Sequence, residues 1–381
     1  MRVTDLNPVP SADLGGGDLA IPFELPNGDV GFIWGDSFSG DGPYGPPMGG
    51  IGNWRSPIIT RTSQRDPAEP IVMATSPSTD GRQLWDYQHD NAEYSTVLPC
   101  DAMTIGGRIY LWVMYTQGLG NEKWCEVWTS DDSGITWARS GSKFWCGAFA
   151  GKRVMISWAK DPHSDWVHII STGGLARNKD MLLWRATVDG LSDPHAWQGW
   201  GWNGDNWGWN REPTPILPGW RFGEICLRYV ENRAVISGFD AGDYSIFVKV
   251  GDRIDNTNWI TAHTHRPVTG MPRGVDTVPR LYGGYIHPYS RLEDGKFTLI
   301  VSEWAENGNP YRATQFTCVG IRRKVLVPGP DPEPTPEPEP TPAPEPTPAP
   351  EPTPTPPRNP LWAWWQELVR RVDEWRRQRR L

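Results

Sequence analysis

Ser130-Asp131-Asp132-Ser133-Gly134-Ile135-Thr136-Trp137 is a polar turn that ends on a tryptophan, and its recurrence along the chain decides the fold. Two further turns end the same way, Ser192-Asp193-Pro194-His195-Ala196-Trp197 and Asp255-Asn256-Thr257-Asn258-Trp259. The three tryptophans are therefore 60 and 62 residues apart. Upstream of each lie short alternating or apolar runs bounded by Gly, Asn, Asp and Pro, which is the pattern of β-strands. Paired strands are expected at 18–25 with 29–38, 97–105 with 108–115, 153–160 with 165–171, 224–230 with 233–239, and 284–290 with 296–304. In the three middle units two outer strands follow, the last opening at the tryptophan. Radial repetition of four-stranded sheets is a β-propeller. The expectation is an all-β, five-bladed β-propeller over residues 1–327.

The first turn is the most specific. It fits the pattern S-x-D-x-G-x-T-W and resembles the Asp box between the outer strands of sialidase-like propellers. There the carboxylate accepts turn amides, Gly supplies a positive φ and Trp packs between blades. Asp132 is accordingly expected to shape the fold and is not a site candidate.

Composition narrows the partners. Across 381 residues, 45 Asp and Glu oppose 37 Lys and Arg, a net charge of −8. Nucleic acid and anionic membrane surfaces are poor partners for such a chain. No stretch approaches the run of about 20 apolar residues that spans a bilayer. The first residues lack the apolar core of a secretory signal, so none is expected. Five scattered cysteines form no CxxC pair, and the seven histidines form no HExxH cluster, so neither disulfide framework, metal nor cofactor is expected. The 23 tryptophans make carbohydrate a first suspicion, since indole faces stack on sugar faces as well as filling β-cores.

Beyond the propeller, residues 328–360 hold 17 of the 39 prolines, with Glu, Thr and Ala between them. That composition favours a polyproline linker, a semi-rigid stalk. Residues 361–381 are expected to form a short amphipathic C-terminal helix. Leu361, Trp365, Leu368, Val372 and Trp375 recur at spacings of four and three, a docking or oligomerising seam.

The opening hairpin carries the chemistry. Its loop Pro26-Asn27-Gly28 suits a three-residue turn that pairs Leu25 with Asp29. Continued along the strands, that register sets Asp18 opposite Asp36, with Cβ atoms about 5 Å apart. Like charges so placed destabilise a sheet, which points to a shared proton or a ligand. Cleavage of a glycosidic bond needs one protonated and one ionised carboxyl, and close apposition supplies that difference. Arg55 is a candidate to bind a sugar hydroxyl or hold Asp36 ionised. Asp101 and Glu224 open the first strands of later blades and are candidates for substrate contact or a third carboxylate. Tyr285 and His287 are candidates in the last blade. Trp202 and Trp207 lie in a Gly/Asn-rich run with Trp200 and Trp209, as stacking platforms or as a wedge between blades three and four.

The stretches Gly15-Gly16-Gly17-Asp18-Leu19, Ile33-Trp34-Gly35-Asp36-Ser37-Phe38, Asn53-Trp54-Arg55-Ser56-Pro57 and Tyr282-Gly283-Gly284-Tyr285-Ile286-His287-Pro288 resemble the DUF4185 family, glycoside hydrolase family 183. The resemblance covers most of residues 13–325, although only the N-terminal Asp motifs are specific. It implies a five-bladed furanosidase-like propeller and endo-D-arabinanase activity on the D-arabinan of mycobacterial arabinogalactan and lipoarabinomannan. It also implies that Asp18 and Asp36 are the catalytic carboxylates, with inversion favoured by analogy. An extracellular substrate, a stalk and an anchoring helix together suggest a phage minor tail protein. It would sit at the virion's tail tip, joined to other tail proteins through the helix, which docks there or forms a homotrimer. The rival reading is a carbohydrate-binding receptor propeller without turnover.

Overall fold

The computed structural model describes residues 1–322 apart from 45–52, 77–78, 119, 178, 271–276 and 306–307. The proline-rich segment and the C-terminal helix lie outside the described residues. Five antiparallel sheets form the blades of a propeller. Blade one contains Ile21–Glu24, Val30–Trp34 and Ile58–Thr62. Blade two contains Thr96–Ile105, Arg108–Thr116, Glu122–Ser130 and Ala138–Trp145. Blade three begins Met155–Lys160, Val167–Thr172, Lys179–Ala186, and blade four contains Phe222–Val230, Arg233–Asp240, Ser245–Gly251 and His265–Thr269. The innermost strand of each blade packs beside the next, and that of blade five, Leu281–Ile286, returns to Ile21–Glu24. The ring is closed.

Three details differ from the expected repeat. Blade one has three strands among the described residues, not four. The outer edge of blade five is the N-terminal strand Arg2–Asp5, paired with Tyr311–Cys318, so the two ends of the domain meet in one sheet. The outer strand of blade four opens only at His265, beyond Trp259.

The turn tryptophans behave alike. Each indole N–H donates back to a carbonyl of its own turn: Trp137 to Gly134 at 3.2 Å, Trp197 to Leu191 at 3.2 Å and Trp259 to Ile254 at 2.8 Å. The indole's polar edge is thus satisfied locally while its body packs against the sheets. In the Asp box, Asp132 Oδ1 accepts the amides of Ile135 (3.1 Å) and Thr136 (2.9 Å), and Gly134 takes φ +82°. Partial burial works against the ionised carboxylate, but the bonds from Thr136 and Ser130 prevail and hold its pKa at about 2. Its role is structural.

Candidate active site

The hairpin register is the one its loop dictates. Leu25 N–H donates to Asp29 O, Gly28 takes φ +80°, and Ile21 pairs with Ile33. The same register resumes beyond the site, where Gly17 pairs with Ser37 and Gly16 with Phe38. Between these segments both strands break from regular geometry. Leu19 and Ala20 adopt φ +64° and +46°, a conformation that costs an L-residue about 1–2 kcal/mol. Three bonds hold the break open: Ala20 N–H and Gly35 N–H to Asp18 O, and Leu19 N–H to Ser302 Oγ at 2.9 Å. Strain retained at one point of an otherwise regular hairpin marks a place where side-chain direction matters more than strand continuity.

The break presents Asp18 and Asp36 to each other at the hub, and their surroundings differ. Asp18 Oδ2 accepts the Tyr282 hydroxyl at 3.0 Å, whereas its Oδ1 is sealed from solvent with no hydrogen-bond partner among the described residues. Burial above all, and then the charge of Asp36, push the Asp18 carboxyl well above its ordinary 3.8. Glu224 adds a smaller upward push, and the hydroxyls of Tyr311 and Tyr282 only partly offset it. Asp36 is half-buried, and its Oδ1 accepts the indole N–H of Trp54 (2.8 Å) and the Thr96 hydroxyl (3.0 Å). The Asp18 carboxyl is thus arranged to hold its proton, while Asp36 offers an oxygen already fixed by two donors.

Gly35 is where the fit is closest. A Cβ there would lie 2.4 Å from Asp18 Oδ1 and 2.9 Å from Leu19 Cδ1. Gly35→Ala is therefore expected to displace the Asp18 carboxyl and lower turnover roughly 100-fold, since shifts of about 1 Å in a reacting group cost that much. Near-UV circular dichroism should stay native; unchanged turnover would show that Asp18's position is not critical.

The other sequence candidates divide. Glu224 joins the pair: its charge is felt by Asp18, its Oε2 accepts Gly283 N–H at 3.2 Å, and Arg177 lies 3.9 Å from its Oε1. Gly283 and Gly284, at φ +81° and +99°, form the bulge that lets Tyr282 and the Gly283 amide reach these carboxyls. Tyr285 is buried in the same hub, near Glu224, Cys100 and Asp18.

Arg55 does not pair with Asp36. Its guanidinium is spent on the carbonyls of Ala12, Asp13, Asn53 and Gly81. Asp101 is buried in a bidentate pair with Arg228, at 2.7 and 2.9 Å, and faces no open space. His287 lies past the far end of the innermost strand from Tyr282. There Tyr289 reaches the carbonyl of Gly28 in the hairpin loop, and burial holds the His287 pKa at about 3, as for a neutral core imidazole. Trp202 and Trp207 are cross-strand partners on an outer hairpin of blade three, Gln198–Trp202 with Trp207–Trp209, and both are exposed. Trp209 ties that hairpin to Asp255 of blade four at 3.2 Å.

Sequence reasoning missed Trp54, Thr96, Tyr282 and Tyr311. The first and third sit inside the motifs that carry the family resemblance, in the same stretches as Arg55 and Tyr285. Thr96 and Tyr311 are remote in sequence and have no local signature.

The architecture defines a class, a five-bladed propeller with a strained hairpin that sets two unlike carboxyls at its hub. Within that class the chain belongs to the DUF4185 family (Domain of unknown function), whose model matches residues 8–317. An uncharacterized 35.9 kDa protein of Mycolicibacterium smegmatis is 29% identical over 336 residues, covering 81% of this chain and 94% of that one. Notoamide biosynthesis cluster protein J' of Aspergillus versicolor is 27% identical over 319 residues, covering 77% and 82%. The fold recurs at 10% identity in a solved structure described as a glycoside hydrolase, with TM-score 0.50 over 85% of this chain and 93% of that one.

Proposed function

We propose that the protein is an endo-acting glycoside hydrolase that cleaves D-arabinofuranan of mycobacterial-type arabinogalactan or lipoarabinomannan. The observation that carries the reading is the unlike pair, a half-buried Asp18 with its Oδ1 sealed and its pKa held up, beside an Asp36 held by Trp54 and Thr96. In the reaction, Asp18 gives its proton to the glycosidic oxygen as the bond from C1 to that oxygen breaks. Asp36 takes a proton from the water whose oxygen bonds to C1 from the opposite face, which inverts the anomeric centre. Solvent then reprotonates Asp18 and deprotonates Asp36, and no cofactor enters. Burial and the charge of Asp36 raise the proton affinity of Asp18, the Tyr311 and Tyr282 hydroxyls partly offset this, and Glu224 adds a small upward push. The substrate reading rests on the family resemblance and the shared fold. The same reading places the chain on a phage tail tip, with the proline-rich segment as a stalk; tail particles purified without the chain would end that part of it.

The decisive experiment incubates purified mycobacterial arabinogalactan with wild-type and Asp36→Asn protein. Wild type should release oligosaccharides, and the variant should be slower by about 100-fold or more. Equal release by both, or none by wild type, overturns the assignment.

A further inference from the structure

Trp54, which donates to Asp36, is the first ring of a longer series. Its indole stacks on His89 with centroids 4.0 Å apart and planes 23° apart. Tyr87 follows His89 at 4.8 Å, Tyr94 follows Tyr87 at 5.6 Å, Trp124 follows Tyr94 at 5.6 Å, and Trp145 follows Trp124 at 5.8 Å. Blade two explains the order. Thr96, at the Asp36 end, opens its innermost strand, and Tyr115 stands near the end of the second strand. Trp124 pairs with Tyr115 from the third strand and with Trp145 from the fourth. All these residues therefore occupy the end of the blade that holds Asp36, and the row crosses it from hub to rim. Side chains paired across neighbouring strands share a face.

Ordinary inter-blade packing accounts for the inner rings but not for the outer end. Trp145 is 58% exposed, an uncommon position for so large an apolar surface, and Trp54, His89, Tyr87 and Tyr94 are half-buried. Burial lowers the His89 pKa to about 4, so its ring is uncharged at neutral pH. Trp124 is buried, with Tyr115 stacked on its ring at 4.7 Å and the Lys143 ammonium 3.7 Å above it, so it backs the row rather than opening onto it. An open cavity of about 730 Å³, within the usual range for ligand sites, is bounded by Trp54, Tyr87 and His89 together with Asn53, Arg82 and Gln83.

We propose that the open rings of this row, Trp54, Tyr87 and His89 at the cavity and Trp145 at the rim, form distal subsites that carry an uncharged saccharide chain from the Asp18–Asp36 pair across blade two, with the buried Trp124 as their backing. The proposal deepens the hydrolase reading and rests on it for the chemistry at the hub. The C–H faces of sugar rings stack on aromatic faces, and a series of such faces leading away from a cleavage site is what an enzyme cutting within a chain requires. A single-stranded nucleic acid would also stack, but it needs a basic groove, and the chain carries a net charge of −8.

The test uses full-length Asp36→Asn protein, in which binding is separated from turnover, with soluble mycobacterial arabinogalactan fragments as the probe. Adding Trp145→Ala should weaken the dissociation constant about tenfold by isothermal titration calorimetry. Ile260→Ala, which removes an exposed apolar side chain from blade four, should leave it unchanged. In the wild-type background, Trp145→Ala should lower kcat/KM on long fragments more than on short ones. A dissociation constant within twofold of the parent, or no binding by the parent, overturns the row. Binding that depends on Trp145 without cleavage by wild type would retain the row and end the hydrolase reading. Cleavage with binding indifferent to Trp145 would do the reverse.

Discussion

Asp18→Asn is expected to abolish hydrolysis and, at neutral pH, to make the protein more stable. The activity loss follows from the proposed role, because an amide cannot supply the proton the leaving oxygen needs; a loss of about 1,000-fold or more is expected. The stability gain follows from linkage. In the folded protein the Asp18 carboxyl is held well above 3.8, first by burial and then by Asp36, whereas in the unfolded chain it titrates near that ordinary value. Between those two points the native state binds a proton that the unfolded state does not, so stability falls as pH rises through this window. Below the unfolded value both states are protonated and the penalty is absent. Asparagine removes the titration and keeps the shape. The melting temperature of Asp18→Asn should therefore exceed wild type at pH 7 and converge with it near pH 3. By the same sign, wild-type activity should fall as pH rises through the raised Asp18 value. A variant less stable than wild type at pH 7 would mean that the carboxyl is ionised in the folded state, leaving the proposed acid without its proton.

The apposition of Asp18 and Asp36 was legible because it depends on a short loop. Pro26-Asn27-Gly28 fixes the pairing of Leu25 with Asp29, and the same register resumes at Gly17 with Ser37; the break at Leu19 and Ala20 between them has no signature in the sequence. The propeller was legible for a related reason: each turn tryptophan closes a local bond, so the repeat is written within six residues of itself. What was hidden depends on partners distant in sequence. Arg55 is consumed by carbonyls at positions 12, 13 and 81, and Asp101 meets a guanidinium 127 residues away. A charged residue at the start of an inner strand reads the same whether it faces a ligand or a buried counter-ion, and only the ring's closure decides. The strand Arg2–Asp5 was hidden for the same reason, since its partner lies at the other end of the domain.

Asp101→Ala is expected to cost about 3–5 kcal/mol of stability, the range for leaving one member of a buried ion pair without its partner. The Arg228 guanidinium meets Asp101 through two nitrogens, at 2.7 and 2.9 Å, and one of these also donates to the carbonyl of Pro22. The Asp101 carboxylate further accepts Trp158 N–H at 3.0 Å and the Ser157 hydroxyl, and Ser157 Oγ in turn accepts Leu227 N–H at 2.7 Å. Pro22, Asp101, Ser157 and Arg228 belong to the innermost strands of blades one to four, so the cluster ties four blades at the hub. Removing the carboxylate leaves the Arg228 cation without its partner and frees two donors of one further strand, Met155–Lys160. Removing both charges is a different matter. Asp101→Leu combined with Arg228→Met exchanges the pair for apolar bulk, and should recover much of the loss because neither ion then has to be desolvated. Urea denaturation of the two single variants and the double variant measures this coupling directly. Additive losses would mean that the two side chains act independently and that the blades are held together by their apolar faces alone.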